Sequence, residues 1–276
     1  MFIRGSVKLN ELKTAGGKLR AFVKRNKKNV AAGIMLLLLA GIAYAAPRAV
    51  VDVANNAAAS AKELPIYCVD RDDKVVALTF DAAWGNEDTQ KILDILEKHN
   101  VKVTFFATGG WVETYPDDVK KIIEAGHAFG NHSENHKFMT RLTDEQKKQE
   151  LMKVHDKVKA LTGYEMCLFR PPYGDYNDAV VKVADSLGYY TIQWSVDSLD
   201  WKDYGVDSIV RTVTQHKSLD SGAIILMHNG AKYTADALDS IITSLEEQGY
   251  SFVTVAELIH TGKYHMDHTG KQIADE

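Results

Sequence analysis

The stretch "VVALTFDAAWGNEDTQKIL" runs apolar from Val75 and stops at one carboxylate, Asp81. Four further apolar runs give way to residues able to do acid–base or metal chemistry. "GNHSENH" carries His132 and His136, "RPPYG" carries Arg170 and Tyr173, "VDSLDW" carries Asp197, Asp200 and Trp201, and "LMHNG" carries Leu226 and His228. His132 and His136 are four apart; on a helix that spacing puts both imidazoles on one face, about 5–6 Å apart at Cβ and able to share a metal ion. Asp81 is either a turn cap or a general base, and the second role needs a cation to keep it ionised, for which Arg170 is the available partner. His228 is either a core histidine or a general acid, the latter if Asp200 or Asp197 holds it protonated. Trp201 and Leu226 are core residues or the walls of a small acyl pocket. His127 reads as structural, and Cys167 and Met227 as packing.

These residues act together only if one scaffold gathers five strand ends. "KVVALTF" (74–80) reads as a buried strand. "DTQKILDILEKHN" reads as a helix capped by Asp88 or Thr89, with Ile92, Leu93, Ile95 and Leu96 as its apolar stripe. "VKVTFFATG" (101–109) is the next strand, and "PDDVKKIIEAG" (116–126) a helix opening on Pro116 with acids in its first turn. The alternation continues through a helix at 143–162, strand "CLFRPPYG", helix 176–187, strand "YYTIQWSVD", helix 207–216, strand "AIILMHN", helix 234–248 and strand "SFVTV". Strands alternating with helices in this way predict an α/β fold, a parallel sheet closed into a barrel with its chemistry at the carboxyl ends of the strands. Residues 264–276 read as a frayed polar tail with His265 and His268 in solvent.

The 276 residues, 45% of them apolar, suffice for one large core. Of 33 Lys and Arg, nine lie in residues 1–30 beside one acid, Glu11. The other 24 face 36 of the 37 acids, a net of −12, which excludes a nucleic-acid-binding body. The basic tail, 1–29, runs into residues 30–46, 17 uncharged residues at the lower limit for a membrane span. Lysines before the span predict a cytoplasmic N-terminus and an exported body. Two readings stand. One is a single-pass anchor in the cell membrane with the domain outside, favoured by the long charged leader. The other is a signal peptide cleaved after "AYA" at 43–45, giving a secreted protein. Residues 47–72 form a spacer and 73–263 the domain. Cys68 and Cys167 form either one disulfide or two separate thiols.

With "TFDA", "HSENH", "RPPYG", "DSLDW" and "LMH" in that order, residues 73–262 resemble the polysaccharide deacetylases of carbohydrate esterase family 4, which share the NodB homology domain. The resemblance implies a distorted (β/α) barrel, a divalent metal that is commonly zinc and alternatively cobalt, and removal of acetyl groups from N-acetylglucosamine polymers or of O-acetyl groups from xylan. Residue by residue, it implies Asp81 as the base, His132 and His136 as metal ligands, and Arg170 as the partner of the base. It also implies the Tyr173 backbone N–H as oxyanion donor, Asp200 as the carboxylate tuning the catalytic histidine, Trp201 as a hydrophobic wall, Leu226 as acetyl-pocket lining, and His228 as the general acid.

One departure stands out. The family pattern is "TFDD", its second aspartate a metal ligand, whereas this chain has Ala82, followed by Ala83 and Trp84 where the pattern has Gly-Pro. Catalytic zinc sites normally use three protein ligands, so the change weakens the site, and Asn86, Glu87 and Asp88 are the nearby candidates to fill the gap. A "TFD-x-x-WG" variant is similar to a sporulation and cell-wall subgroup of Gram-positive bacteria. The expected function is deacetylation of cell-wall glycan by a monomer held at the membrane through residues 30–46. The alternatives are a catalytically silent glycan-binding protein and an O-acetyl esterase.

Overall fold

In the computed structural model, which describes residues 62–275 together with Gly17 and residues 24–26, the apolar runs become strands of one curled sheet. The remainder of the basic arm, the apolar segment 30–46 and the spacer up to residue 61 lie outside the described residues. Among the described residues, no helix is long and apolar enough to cross a membrane.

Short β1 (Cys68–Val69) leads into β2 (Val75–Ala82), in which every residue is buried. Helix α1 (Thr89–Lys98) buries Ile92, Leu93 and Leu96, the stripe that its helical period places on one face. β3 (Thr104–Ala107) is followed by α2 (Gly109–Thr114), whose first turn is capped by the Thr108 hydroxyl accepting from the Trp111 amide. Helix α3 (Pro116–Glu124) opens on its proline with Asp117 and Asp118 against the helix dipole. After β4 (Ala128–Asn131), α4 (Asp144–Thr162) starts with a reciprocal Thr143–Gln146 cap and stops at Gly163 in the left-handed region. The chain continues through β5 (Leu168–Phe169), α5 (Asp178–Ser186), β6 (Tyr190–Thr191), β7 (Val196–Asp197) and α6 (Val206–Thr214). It ends with β8 (Ala223–Asn229), α7 (Thr234–Glu247), β9 (Ser251–Phe252), α8 (Val255–Leu258), β10 (Tyr264–Met266) and β11 (Lys271–Ala274).

β8, β2, β3, β4, β5 and β6 are parallel neighbours in that order. The run from β6 to β7 bends so that its first half pairs with β5 and its second half with β8. Ile66 enters the seam beside it: its N–H donates to the Thr191 carbonyl at 2.8 Å, and the Gln193 N–H donates to the Ile66 carbonyl at 2.7 Å. The sheet thus curls onto itself as the expected distorted barrel does. Strand alternation then sorts its side chains. Val76, Leu78, Phe80 and Ala82 pack outward in a cluster with Ile92, Leu96, Ile122 and Leu238. Ala77 shares the inner cluster with Phe106, Leu168, Ile192 and Ile224. Asp81 has the parity of Ala77 and therefore lies on the inner face, while the Ala82 methyl is buried on the outer one.

Several expectations need correction. The third strand shrinks to Leu168–Phe169, because Arg170 turns into "PPYG" and a proline donates no backbone hydrogen bond. "SFVTV" keeps only two strand residues before the Thr254–Glu257 cap starts α8. The tail is ordered: β10 and β11 form a hairpin, and β11 pairs in parallel with β1. Within it, His265 and His268 are exposed as expected, and His265 Nδ1 lies 2.6 Å from an Asp275 carboxylate oxygen. Cys68 and Cys167 are free thiols, and Cys167 is exposed and not packed.

Gly222 makes the closest backbone approach of the seam. Its φ is +77°, and a Cβ there would stand 1.8 Å from the Val69 carbonyl oxygen. Gly222→Ala is expected to lower stability by at least about 1–3 kcal/mol, read as a drop in the urea midpoint at constant slope. An unchanged midpoint would overturn that contact.

Candidate active site

The parallel register of β2 and β8 sets Asp81 beside His228 and Ala82 beside Asn229. Asp81 is buried, and its Oδ1 accepts from Arg170 Nη1 at 2.7 Å. Arg170 leaves β5 fully buried. Its Nη1 also donates to the Thr79 hydroxyl at 2.8 Å and its Nη2 to the Gln193 carbonyl at 3.2 Å. The guanidinium lies 4.2 Å from the Phe106 ring centre and 5.6 Å from that of Trp194. Burial by itself would raise the Asp81 carboxyl, but the charge and hydrogen bond of Arg170, with the charge of His228, outweigh it and hold the group below the usual carboxylate range.

His132 and His136 are not on a helix. They sit in the loop after β4, where Ser133 (φ 64°) and His136 (φ 51°) are left-handed. Asn131 Oδ1 accepts from the Ser133 amide at 2.9 Å, and the Ser133 hydroxyl accepts from the His136 amide at 3.0 Å. Glu150 of α4 accepts from the Asn135 amide and side chain and from Lys137. This loop brings the two imidazoles together, ring centres 4.9 Å apart. His132 donates through Nδ1 to the Arg170 carbonyl at 2.8 Å, leaving Nε2 as the free nitrogen, 3.6 Å from Asp81 Oδ2. Burial drives His132 down to about 4 and lowers His136 too, so both rings are neutral donors near pH 7.

His228 is the opposite case. Its Nδ1 donates to Asp200 Oδ1 and its amide to Asp200 Oδ2, each at 2.7 Å, while the Thr234 hydroxyl donates to the same carboxylate at 2.6 Å. Burial would lower the imidazole, but the Asp200 hydrogen bond and charge, with Asp81 and Asp197, carry it above its ordinary value. The site therefore holds a depressed carboxyl and an elevated imidazole on adjacent strands, an arrangement suited to taking one proton and giving another.

A cavity of about 550 Å³ opens over these groups, lined by Asp81, His132, His136, Tyr173, Trp201, Leu226 and His228 among others. All ten residues singled out in the sequence, Asp197 included, therefore stand at this end of the sheet, with Arg170 and Asp200 beneath the lining. Tyr173 has a left-handed backbone inside the turn Pro172–Gly174, and its exposed ring lies against His136 and stacks on Phe138. His127 lies apart, its Nδ1 accepting from the Val103 amide at 3.3 Å. Asn86, Glu87 and Asp88 do not fill the place of a third ligand. Asn86 donates to Asp118, Asp88 accepts from the Gly230 amide, the Glu87 carboxylate folds over Gly85, and none lines the cavity. Among the described residues, no three His, Cys, Asp or Glu side chains are grouped to hold a metal ion.

Sequence reasoning missed Trp84, Trp194, Thr234 and Glu150. Trp84 carried a signal, a large aromatic in the turn straight after the acid. Trp194 sits within an apolar run, and the other two are ordinary helix residues in the sequence, so nothing marked them.

An α/β barrel with two histidines, an Arg-paired aspartate and an Asp-paired histidine at its carboxyl end defines a hydrolase-type site. The polysaccharide deacetylase family profile matches residues 69–192. The peptidoglycan-N-acetylmuramic acid deacetylase PdaA of Bacillus subtilis is 38% identical over 201 residues, 70% of this chain and 74% of that protein. The peptidoglycan-N-acetylglucosamine deacetylase PgdA of Listeria monocytogenes is 38% identical over 205 residues, 73% of this chain but 43% of that one. Among solved structures, wild-type BA3943 of Bacillus anthracis, described as a CE4 family pseudoenzyme, superposes with a TM-score of 0.68. It is 39% identical over 75% of this chain and 69% of that chain. The chain belongs to the polysaccharide deacetylase family.

Because Arg170 and Asp81 are buried together, losing one strands the other's charge. Arg170→Met is expected to cost about 3–5 kcal/mol. Adding Asp81→Asn should recover part of that loss, so the double-mutant cycle shows coupling well above 0.5 kcal/mol. Additive losses in urea titrations would show that the two are not paired.

Proposed function

We propose that this chain is a hydrolase that removes N-acetyl groups from cell-wall glycan, at N-acetylglucosamine or N-acetylmuramic acid units. The observation that carries the reading is the pairing of an Arg-held carboxylate with an Asp-held imidazole in register on β2 and β8. Family membership and the activities named for PdaA and PgdA support it.

In this reading Asp81, kept ionised by Arg170, takes a proton from the water that attacks the acetyl carbonyl. The Tyr173 backbone N–H faces the developing oxyanion. His228 gives its Nε2 proton to the departing nitrogen as the C–N bond breaks, releasing acetate and a free amine. Asp200 holds the ring in the required tautomer through Nδ1. Leu226 and Trp201 enclose the acetyl methyl.

The neutral imidazoles of His132 and His136, one with its tautomer set by the Arg170 carbonyl, suit a divalent metal, zinc or cobalt. Bound there, it would supply Lewis acidity toward water and carbonyl. Ahead of the domain, we assign residues 30–46 as a single-pass anchor with the domain outside the cell, or as a cleaved signal, which the mass of the mature N-terminus distinguishes. We expect a monomer, checked by light scattering.

A specific observation favours a second reading, that of a catalytically silent glycan binder. The Ala82 methyl is buried in the outer core and, among the described residues, no third ligand is grouped with the histidines; the BA3943 neighbour is described as a pseudoenzyme.

The test is acetate release from chitotetraose. Release that stops with EDTA, returns with zinc and falls about 10²–10⁴-fold in Asp81→Asn supports the hydrolase. Binding without release at any metal concentration supports the binder, and faster release from acetylated xylan assigns an O-acetyl esterase.

The pH profile gives a further check. His228 must be protonated to act, so activity persists below its folded pKa and is lost as pH rises through it. That limb should lie above the ordinary imidazole value of about 6.5. Asp200→Asn should move it to lower pH, and a limb that stays in place would remove His228 from the acid role.

A further inference from the structure

The large apolar side chains exposed among the described residues are Trp84, Phe138, Tyr173, Trp201 and Tyr204. All five gather at one cavity. Trp84, Tyr173 and Trp201 line it, Phe138 stacks on Tyr173 with ring centres 4.3 Å apart, and Tyr204 shares the Lys202 ammonium with Trp201. Aromatic surface left in water at a single mouth marks a place where something else covers it.

Trp84 differs from the others in how it is held. The neighbouring Gly85 carbonyl accepts from the Trp111 indole at 3.2 Å and from the Asn229 side-chain Nδ2 at 3.0 Å. Asn229 is itself buried, its Oδ1 accepting from the Thr89 hydroxyl at 2.9 Å. The backbone of this turn is therefore clamped from two sides. Trp84 lies against His228, ring centres 5.2 Å apart and planes inclined by 31°, and yet remains 50% exposed. An indole on a clamped backbone, with one side on the site and half its area in water, is a prepared contact surface. The ligand chemistry that fits it is a hexopyranose. Its axial C–H groups form an apolar face that packs on an aromatic ring, and its equatorial hydroxyls stay solvated at the rim.

We propose that Trp84 is a specificity-determining residue whose exposed indole is the stacking platform for a hexopyranose ring of the glycan, placed beside His228. The proposal rests on the cavity's being a glycan site, and holds whether or not that site turns over.

The experiment titrates the full chain with chitotetraose by calorimetry and compares kcat/KM for chitotetraose with that for 4-nitrophenyl acetate, which has no sugar ring. Trp84→Ala should weaken chitotetraose binding about tenfold or more. Its loss of kcat/KM on chitotetraose should exceed that on the nitrophenyl ester by a similar factor. Trp84→Phe should bring binding back to within about threefold, because the aromatic face is kept. Weakened binding in Trp84→Ala with no turnover by the wild type would sustain the platform and end the hydrolase reading. Equal losses on both substrates would mean that Trp84 only supports His228, and would overturn the platform. Unchanged binding and KM in an active enzyme would overturn it too, while leaving the hydrolase reading in place.

Discussion

A guanidinium sealed inside a barrel must find its hydrogen-bond acceptors there, and that requirement organises the functional end of this sheet. Arg170 comes from β5 and reaches Asp81 and Thr79 on β2 and the Gln193 carbonyl between β6 and β7. One side chain thereby spans the barrel mouth and ties three parts of its wall together. Its own carbonyl orients His132. Moving Arg170 would therefore release the carboxylate, one imidazole and the seam together. Buried ion pairs are weak devices for stability, since apolar replacements often serve as well. What this pair secures is an ionised carboxylate in a site where burial alone would neutralise it.

The second charged centre is built on the same logic with the signs reversed. Asp200 is fully buried, and its two oxygens accept from the His228 ring, the His228 and Trp201 amides and the Thr234 hydroxyl. A carboxylate so fully engaged stays fixed and holds charge on the imidazole. Between the two centres, His132 and His136 are held neutral by burial. The site thus divides into a carboxylate held ionised, two imidazoles held neutral and one whose pKa is raised, set by which residues are paired and which are only desolvated. Membership of the polysaccharide deacetylase family places this division in a family whose relatives include both named deacetylases and a protein described as a pseudoenzyme.

Much of this was legible in the sequence because barrel strands end where their chemistry begins. The apolar runs of β2 and β8 announced themselves, and so did the acid and the histidine that close them. The order of the motifs supplied the partners of both. What the sequence did not disclose was produced by tertiary context. The histidine pair follows helical spacing, yet Asn131, Ser133 and Glu150 wrap it into a left-handed loop. The polar tail has no apolar period to announce strands, and it is ordered because β1 offers it an edge. The parity that turns Ala82 outward is a plain consequence of strand alternation. It becomes visible only once β2 is known to continue through that residue.

The seam has a consequence for how the chain acquires its shape. Ile66 and β1 lie at the start of the domain, yet their partners are Thr191, Ile192 and Gln193, then Gly222 and Ala223, and finally β11 at 271–274. Emerging amino end first, this segment meets none of its partners until more than a hundred residues have followed, and β11 only some two hundred residues on. Closure of such distant contacts is slow and leaves sheet edges open meanwhile. The barrel is therefore a structure whose first strand is completed by its last, the terminal hairpin covering the edge that β1 offers.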